Sequence, residues 1–207
     1  MRVVAVGCEY SGVSTLIDGI YAWGRERGIN HHLDDHFTIP DPYHLEEEEQ
    51  RAMLDMLPGI KERFQRFQIV YHIRLLYRYE HILMGGFHIE EAVYGPRYYY
   101  PGTSVHVREY EPDMPDDVIL VHLHARPEVI RGRGERDPHP HQTVPAADVE
   151  EVLDQFRSEF GQSWIRRKFS IDTSDLTPDE LLERFLELSI PHLNPTDALT
   201  RVQLGGS

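Results

Sequence analysis

The chain holds one cysteine, Cys8, in 207 residues. No internal disulfide can form, and a cytoplasmic location is the expectation. Basic side chains are also scarce: 21 Lys and Arg stand against 35 Asp and Glu, a formal net charge of −14. Outside a local basic patch such a chain repels phosphate backbones, which excludes general DNA or RNA binding. No apolar run approaches the roughly 18 residues of a membrane span and no secretory leader is legible, so no membrane role is expected. Repeats, low-complexity tracts and domain linkers are missing too. What is present, 40% hydrophobic and 27% charged residues, suits one soluble globular domain with a sizeable core. We read 1–194 as that domain and 195–207 as a C-terminal tail.

The elements follow from hydrophobic patterning. Residues 2–6 are apolar on both faces, as in a buried parallel strand. A helix follows from Ser14 to about Arg27, with Leu16, Ile17, Ile20 and Tyr21 inward. Residues 29–33 form a weaker strand ending in Asp34-Asp35-His36-Phe37. Residues 45–78 are helical, broken at Pro58-Gly59, and 80–84 form a short strand closed by Gly85-Gly86. A short helix and loop precede the strand at 118–123. Pro127 opens another short helix. The Arg-, Gly-, Pro- and His-rich stretch at 131–145 reads as a loop or lid. A helix spans 148–160, with Asp148 as cap, and a last strand 169–173. Thr177 as N-cap, Pro178 at the first helical position and Glu180 closing a capping box start the final helix. Strands alternating with helices make an α/β protein with a parallel sheet covered on both faces.

Residues 7–15 carry the strongest chemistry. They read Gly7-Cys8-Glu9-Tyr10-Ser11-Gly12-Val13-Ser14-Thr15, between a strand and a helix. The phosphate-binding loop is Gly-x-x-x-x-Gly-Lys-[Ser/Thr]. Glycines let backbone N–H groups converge on an anion, and the helix N-terminus adds positive potential. Ser14 places a hydroxyl where the motif holds Mg²⁺. The lysine position is Val13, and an ordinary tight turn is the competing reading.

Three further groups point the same way, each with a structural alternative. Asp34 and Asp35 end the second strand, where a carboxylate can take a hydroxyl proton or hold Mg²⁺ through water; they can equally cap a turn. Arg131, Arg133 and Arg136 cluster in an otherwise acidic chain and match phosphate oxygens; the alternative is a solvated helix end. Tyr94, Tyr98, Tyr99 and Tyr100, with Arg97, can wall a ring-binding pocket or simply pack. The 13 histidines are scattered and lack metal-site spacing.

Together these features resemble the P-loop nucleoside and nucleotide kinases, especially thymidylate kinase-like and deoxynucleoside kinase-like members. The anchors are residues 7–15, the stretch His88-Ile89-Glu90-Glu91-Ala92-Val93-Tyr94-Gly95, the strand at 118–123 with its arginine lid, and Ile171-Asp172-Thr173-Ser174. Asp34 to Phe37 is also similar to the Asp-Asp-x-[Phe/Tyr] of uridine and nicotinamide riboside kinases. The resemblance implies a three-layer fold with about five parallel strands, ATP and Mg²⁺, and phosphoryl transfer to a nucleoside or nucleotide, the small-molecule acceptor. By position it implies Asp35 or Asp34 as base, Arg131, Arg133 and Arg136 over the phosphates, and Asp172 and Thr173 near the adenine. His36, Phe37, Glu91, Tyr94 and Arg97 would meet the acceptor. A homodimer is compatible with it.

Two departures stand out. Val13 replaces the loop lysine, and Gly85-Gly86 replaces the Asp-Arg pair of thymidylate kinase-like proteins. Two readings follow: a divergent phosphotransferase with lid arginines supplying the missing charge, or a nucleotide-binding protein of the same fold without catalysis, acting through a partner. A scaffold that binds no nucleotide is the third.

Overall fold

The computed structural model describes residues 1–35, 46–103, 105–138 and 142–203, apart from the side chains of Asp34, Asp35, Gln50 and Leu54. Five strands form one parallel sheet in the order β2-β3-β1-β4-β5. They are β1 (Arg2–Val6), β2 (His32–Asp35), β3 (Ile82–Gly85), β4 (Val118–His124) and β5 (Arg167–Asp172). β1 is central, with Val3 in register with Leu83 on one side and Ile119 on the other. Its successive side chains serve opposite faces, as strand periodicity requires. Val4 and Val6 join a core with Met84, Leu120 and Phe156. Val3 joins a second core with Leu16, Ile20, Leu181 and Phe185.

The helices are α1 (Val13–Glu26), α2 (Glu47–Leu54), α3 (Pro58–Arg78), α4 (Phe87–Tyr94), α5 (Pro127–Arg136), α6 (Val149–Gln162), α7 (Pro178–Ser189) and α8 (Pro195–Gln203). The break at Pro58 is where expected: Pro58 takes the first position of α3, which needs no N–H. Of the apolar residues of α3, Ile69, Ile73 and Leu76 are buried, while Ile60, Phe67, Tyr71 and Tyr77 stand exposed. The capping box at α7 forms as read, with Thr177 Oγ1 accepting from Glu180 N–H and Glu180 accepting from Thr177 N–H.

Two readings change. Residues 131–136 are helical, not loop, because Ile130 anchors α5 in the core and Gly134 lets the helix lie against the Tyr10 ring. A Cβ at Gly134 would meet that ring at 3.2 Å. Asp148 stands at the start of α6 but makes no cap; its carboxylate takes the Tyr98 hydroxyl at 2.8 Å and Arg97 at 3.3 Å. Residues 195–203 form α8, where Asp197 accepts from the Met1 amino group at 2.9 Å. None of the helices among the described residues is long and apolar enough to cross a membrane.

Candidate functional site

β1 ends at Val6 and the chain turns at once. A side chain at Gly7 would lie 2.3 Å from Leu123 O and 2.4 Å from Ser11 Oγ, so only glycine fits. Tyr10 (φ 65°) and Gly12 (φ 100°) are both left-handed and wrap the loop back on itself. Ser11 N–H closes it by donating to Cys8 O at 2.9 Å. α1 then starts at Val13 with no side chain capping its first N–H groups. Helix starts are usually capped by Ser, Thr, Asp or Asn, so this one leaves donors for something else.

The loop is braced from three directions. Tyr94, buried in α4, accepts the Glu9 N–H at 3.0 Å through its hydroxyl. Burial, reinforced by Cys8, Glu90 and Glu9, holds that phenol well above its ordinary pKa, so it stays neutral. Thr173 Oγ1, just past β5, donates to Ser11 O at 2.8 Å. Arg133 of α5 donates through Nη1 to Tyr10 O at 2.9 Å and Thr173 Oγ1 at 3.1 Å, and through Nη2 to Thr173 O at 2.6 Å. Burial and then the neighbouring Arg136 lower the Arg133 pKa. The Glu9 carboxylate reaches the segment after α5, accepting from Thr143 N–H at 2.9 Å and Val144 N–H at 2.9 Å.

A cavity of about 1110 Å³ opens over this loop. Of the residues singled out in the sequence, Gly7, Tyr10, Gly12, Val13, Ser14 and Thr15 line it, with Thr173, Tyr94, Arg133 and Arg136 around them. Ser14 and Thr15 are exposed to it, and Val13 also leans on the core shared with Leu181. Ser11 lies beneath the loop, fully buried, with no hydrogen-bond partner for Oγ among the described residues.

Other candidates lie elsewhere. Arg131 bonds Ala146 O and Glu150, and Arg97 pairs with Asp148 and Glu151. Glu91 is buried against the Tyr100 hydroxyl. Asp172 caps Ser174 N–H at 2.9 Å. Asp34 and Asp35 end β2 in register with Met84 and Gly85, at the loop's end of the sheet. His36 and Phe37 lie outside the described residues.

Tyr99, one of the tyrosines singled out in the sequence, also lines the cavity, and the structure adds Glu90 and Glu9 to the site. Glu90 sits over Gly86, whose backbone is left-handed (φ 71°); a Cβ there would meet Glu90 Oε2 at 2.4 Å. An arginine at 86 would have to displace it. No helical pattern distinguishes Glu90 from Glu91 in advance, whereas an acidic residue inside a phosphate-type loop was visible at Glu9.

No family model matches the sequence, and no curated protein matches it. Solved structures do. YorR from Bacillus subtilis, in complex with phosphorylated GDP, superposes with a TM-score of 0.60 at 16% identity, over 90% of this chain and 95% of that one. Deoxyadenosine kinase from M. mycoides with bound dATP gives 0.59 at 13%, over 90% and 98%. A gluconokinase from Sinorhizobium meliloti gives 0.57 at 14%, over 92% and 93%. The chain has a P-loop kinase fold. Within that P-loop fold, residues 7–15 occupy the turn after the central strand, and α5 crosses over it. Identities this low carry the architecture and nothing of the reaction.

Proposed function

We propose that the chain is a divergent nucleoside or nucleotide kinase-like phosphotransferase that moves the γ-phosphoryl group of ATP to a nucleoside or nucleotide. The observation that carries this is the uncapped start of α1 opening onto the cavity, with the arginines of α5 on its wall. A helix N-terminus with unspent N–H donors is a phosphate site. The glycine-only turn at Gly7 and the left-handed Gly12 are what such a cradle requires.

The residues divide the work. Backbone N–H groups at 12–15 hold the β- and γ-phosphates. Ser14 is placed to hold Mg²⁺, which supplies charge neutralisation on the phosphates when bound. Arg133 is committed to Tyr10 O and Thr173 and fixes the loop's shape. Arg136, one turn on and exposed on the cavity wall, takes the charge role that Val13 cannot. Asp35 or Asp34, at the end of β2, accepts the acceptor's proton.

The second reading, nucleotide binding without transfer, draws on Val13 and on that commitment of Arg133. A thermal-shift panel over ATP, GTP and deoxynucleotides, with and without Mg²⁺, followed by a phosphoryl-transfer assay over nucleosides and nucleotides, separates them. Ligand at 100 times Kd adds about 2.7 kcal/mol of stability. Stabilisation by ATP with transfer is the expected result. Stabilisation without transfer to any acceptor leaves the second reading, and no stabilisation by any nucleotide defeats both.

A further inference from the structure

α3 is apolar on both sides, and the core takes one of them. Ile69, Ile73 and Leu76 are buried there. On the opposite side Leu57, Ile60, Phe64, Phe67 and Tyr71 follow at spacings of three and four residues and stand exposed, Leu57 at 69% and Phe67 at 68%. Val70 and Tyr77 widen the stripe, which therefore holds seven of the twelve large apolar side chains exposed among the described residues. Surface helices ordinarily turn charge to solvent. α6 does so with Glu150, Glu151, Asp154 and Arg157, and α7 with Asp179, Glu183, Arg184 and Glu187. A helix apolar all round belongs in an interior, so the outer face of α3 is built to be covered.

At these exposures the stripe offers roughly 700 Å² of apolar side chain. The largest apolar patch of a monomer is ordinarily about 300–600 Å². Two such stripes face to face bury roughly 1,400 Å², inside the about 1,200–2,000 Å² of a stable protein–protein interface. The spacing is that of a two-helix seam, whose ridges interlock at a small crossing angle. Charge selects the occupant. The charged residues exposed on α3 are Arg63, Arg74 and Arg78, and no carboxylate is exposed there. Exposed carboxylates gather just before its start, at Asp55 and at Glu46 to Glu49. The stripe runs from an acidic end to a basic end, and its complement is the same stripe reversed. An anionic membrane would be repelled by those glutamates and by a net charge of −14.

We propose that two copies of this chain pair through α3, antiparallel, about a two-fold axis between Phe64 and Phe67. The contact is isologous, each copy giving the same patch. In this register Phe64 meets the partner's Phe67, Ile60 meets the partner's Tyr71, and Leu57 meets the stem of the partner's Arg74. Asp55 comes within about one turn of the partner's Arg74 and the partner's Arg78. A parallel pair would set arginine against arginine. The pairing depends on nothing in the reaction proposed above.

Sedimentation equilibrium of the full chain from about 1 to about 100 µM tests the pairing. The expected mass is twice the chain's 24.2 kDa. Phe67→Glu, at an exposed position, is expected to give a monomer with the wild-type circular dichroism spectrum. Where that spectrum is lost, Tyr71→Glu takes its place. Arg74→Glu combined with Arg78→Glu is expected to weaken pairing about tenfold or more. For the orientation, a short bismaleimide should join Phe67→Cys chains to one another and leave Leu57→Cys chains, about 25 Å from their copies, unjoined. Native Cys8 is buried, and the wild type is the control for it. A monomeric wild type at every concentration overturns the proposal, whether it stays free or floats with phosphatidylserine vesicles. So does a dimer that survives the charge placed at 67 or 71. Unweakened pairing in the double arginine variant, or joining of Leu57→Cys chains as readily as Phe67→Cys chains, overturns the antiparallel register.

Discussion

Arg133 and Arg136 are one helical turn apart, yet the proposed function gives them opposite duties, and their alanine variants should fail in opposite ways. Arg133 donates three hydrogen bonds, to Tyr10 O, Thr173 Oγ1 and Thr173 O, at 2.9, 3.1 and 2.6 Å. Bonds from a charged donor are worth about 1.5–3 kcal/mol each when buried. Arg133 is only half-buried and water replaces part of what is lost, so Arg133→Ala should cost about 2–3 kcal/mol in all. For a chain of this length that lowers the melting temperature by roughly 5–10 °C. Arg133→Lys recovers little, since one ammonium lacks the planar fork that spans all three acceptors. Arg136 is exposed, and its bond to Gly132 O lies within its own helix. Arg136→Ala should leave stability within about 0.5 kcal/mol. Its loss should appear in ATP affinity, by about tenfold, the equivalent of one charge-assisted contact. Urea unfolding followed by circular dichroism reads the first quantity and calorimetric titration with ATP the second. The assignment of duties is refuted if Arg133→Ala unfolds at the wild-type urea midpoint. It is equally refuted if Arg136→Ala destabilises as much as Arg133→Ala while binding ATP normally.

Other expectations follow from single features. Gly7→Ala places a methyl 2.3 Å from Leu123 O and should cost about 1–3 kcal/mol and most ATP-dependent stabilisation, read by thermal melting with and without ATP. Val13→Lys should raise ATP affinity by no more than about threefold if Arg136 already supplies the charge; a gain of a hundredfold shows that the lysine has no substitute. Burial, with His124 and Arg157 adding to it, holds the His122 imidazole down to about 4. A depressed folded pKa gives stability that is whole above the unfolded value near 6.5 and is lost as pH falls toward 4, on the order of 2–3 kcal/mol. His122→Phe, set among Phe156 and Phe160, should flatten that acid limb in urea unfolding followed across pH 7 to 4, whatever it does to stability at pH 7.

The parts of the fold legible in the sequence were those written in local code. The apolar run before Gly7, the glycine spacing through Gly12 and the Thr177–Glu180 capping box each need only neighbours in the chain to be read. Where distant partners decide, the sequence misleads. Gly132 and Gly134 make α5 look like loop, but Gly134 is small because the Tyr10 ring lies on it. Glu90 and Glu91 are adjacent and chemically alike. A tyrosine hydroxyl nine residues on takes Glu91 into the core, and Gly86 leaves room for Glu90 at the cavity. Arg97 looked like a binding residue until α6 supplied Asp148 and Glu151. The ring of contacts around Glu9, reaching Tyr94 on one side and Val144 on the other, joins segments that no periodicity connects.

The position of Cys8 gives the loop at 7–15 a chemical clock. It is the chain's sole thiol, buried inside the loop, and pushed up to about 12 by burial and then by Glu9. In the closed loop it is neither accessible nor ionised, so an alkylating reagent can reach it only when the loop opens. The rate of modification by iodoacetamide in excess is then a direct reading of how often these few residues part from Tyr94 and Thr173. No label has to be engineered, and no second site blurs the signal. An anion seated on the loop slows the reaction by the factor that it shifts the opening equilibrium, so one mass measurement over time reports both loop dynamics and the affinity of any anion that the loop holds.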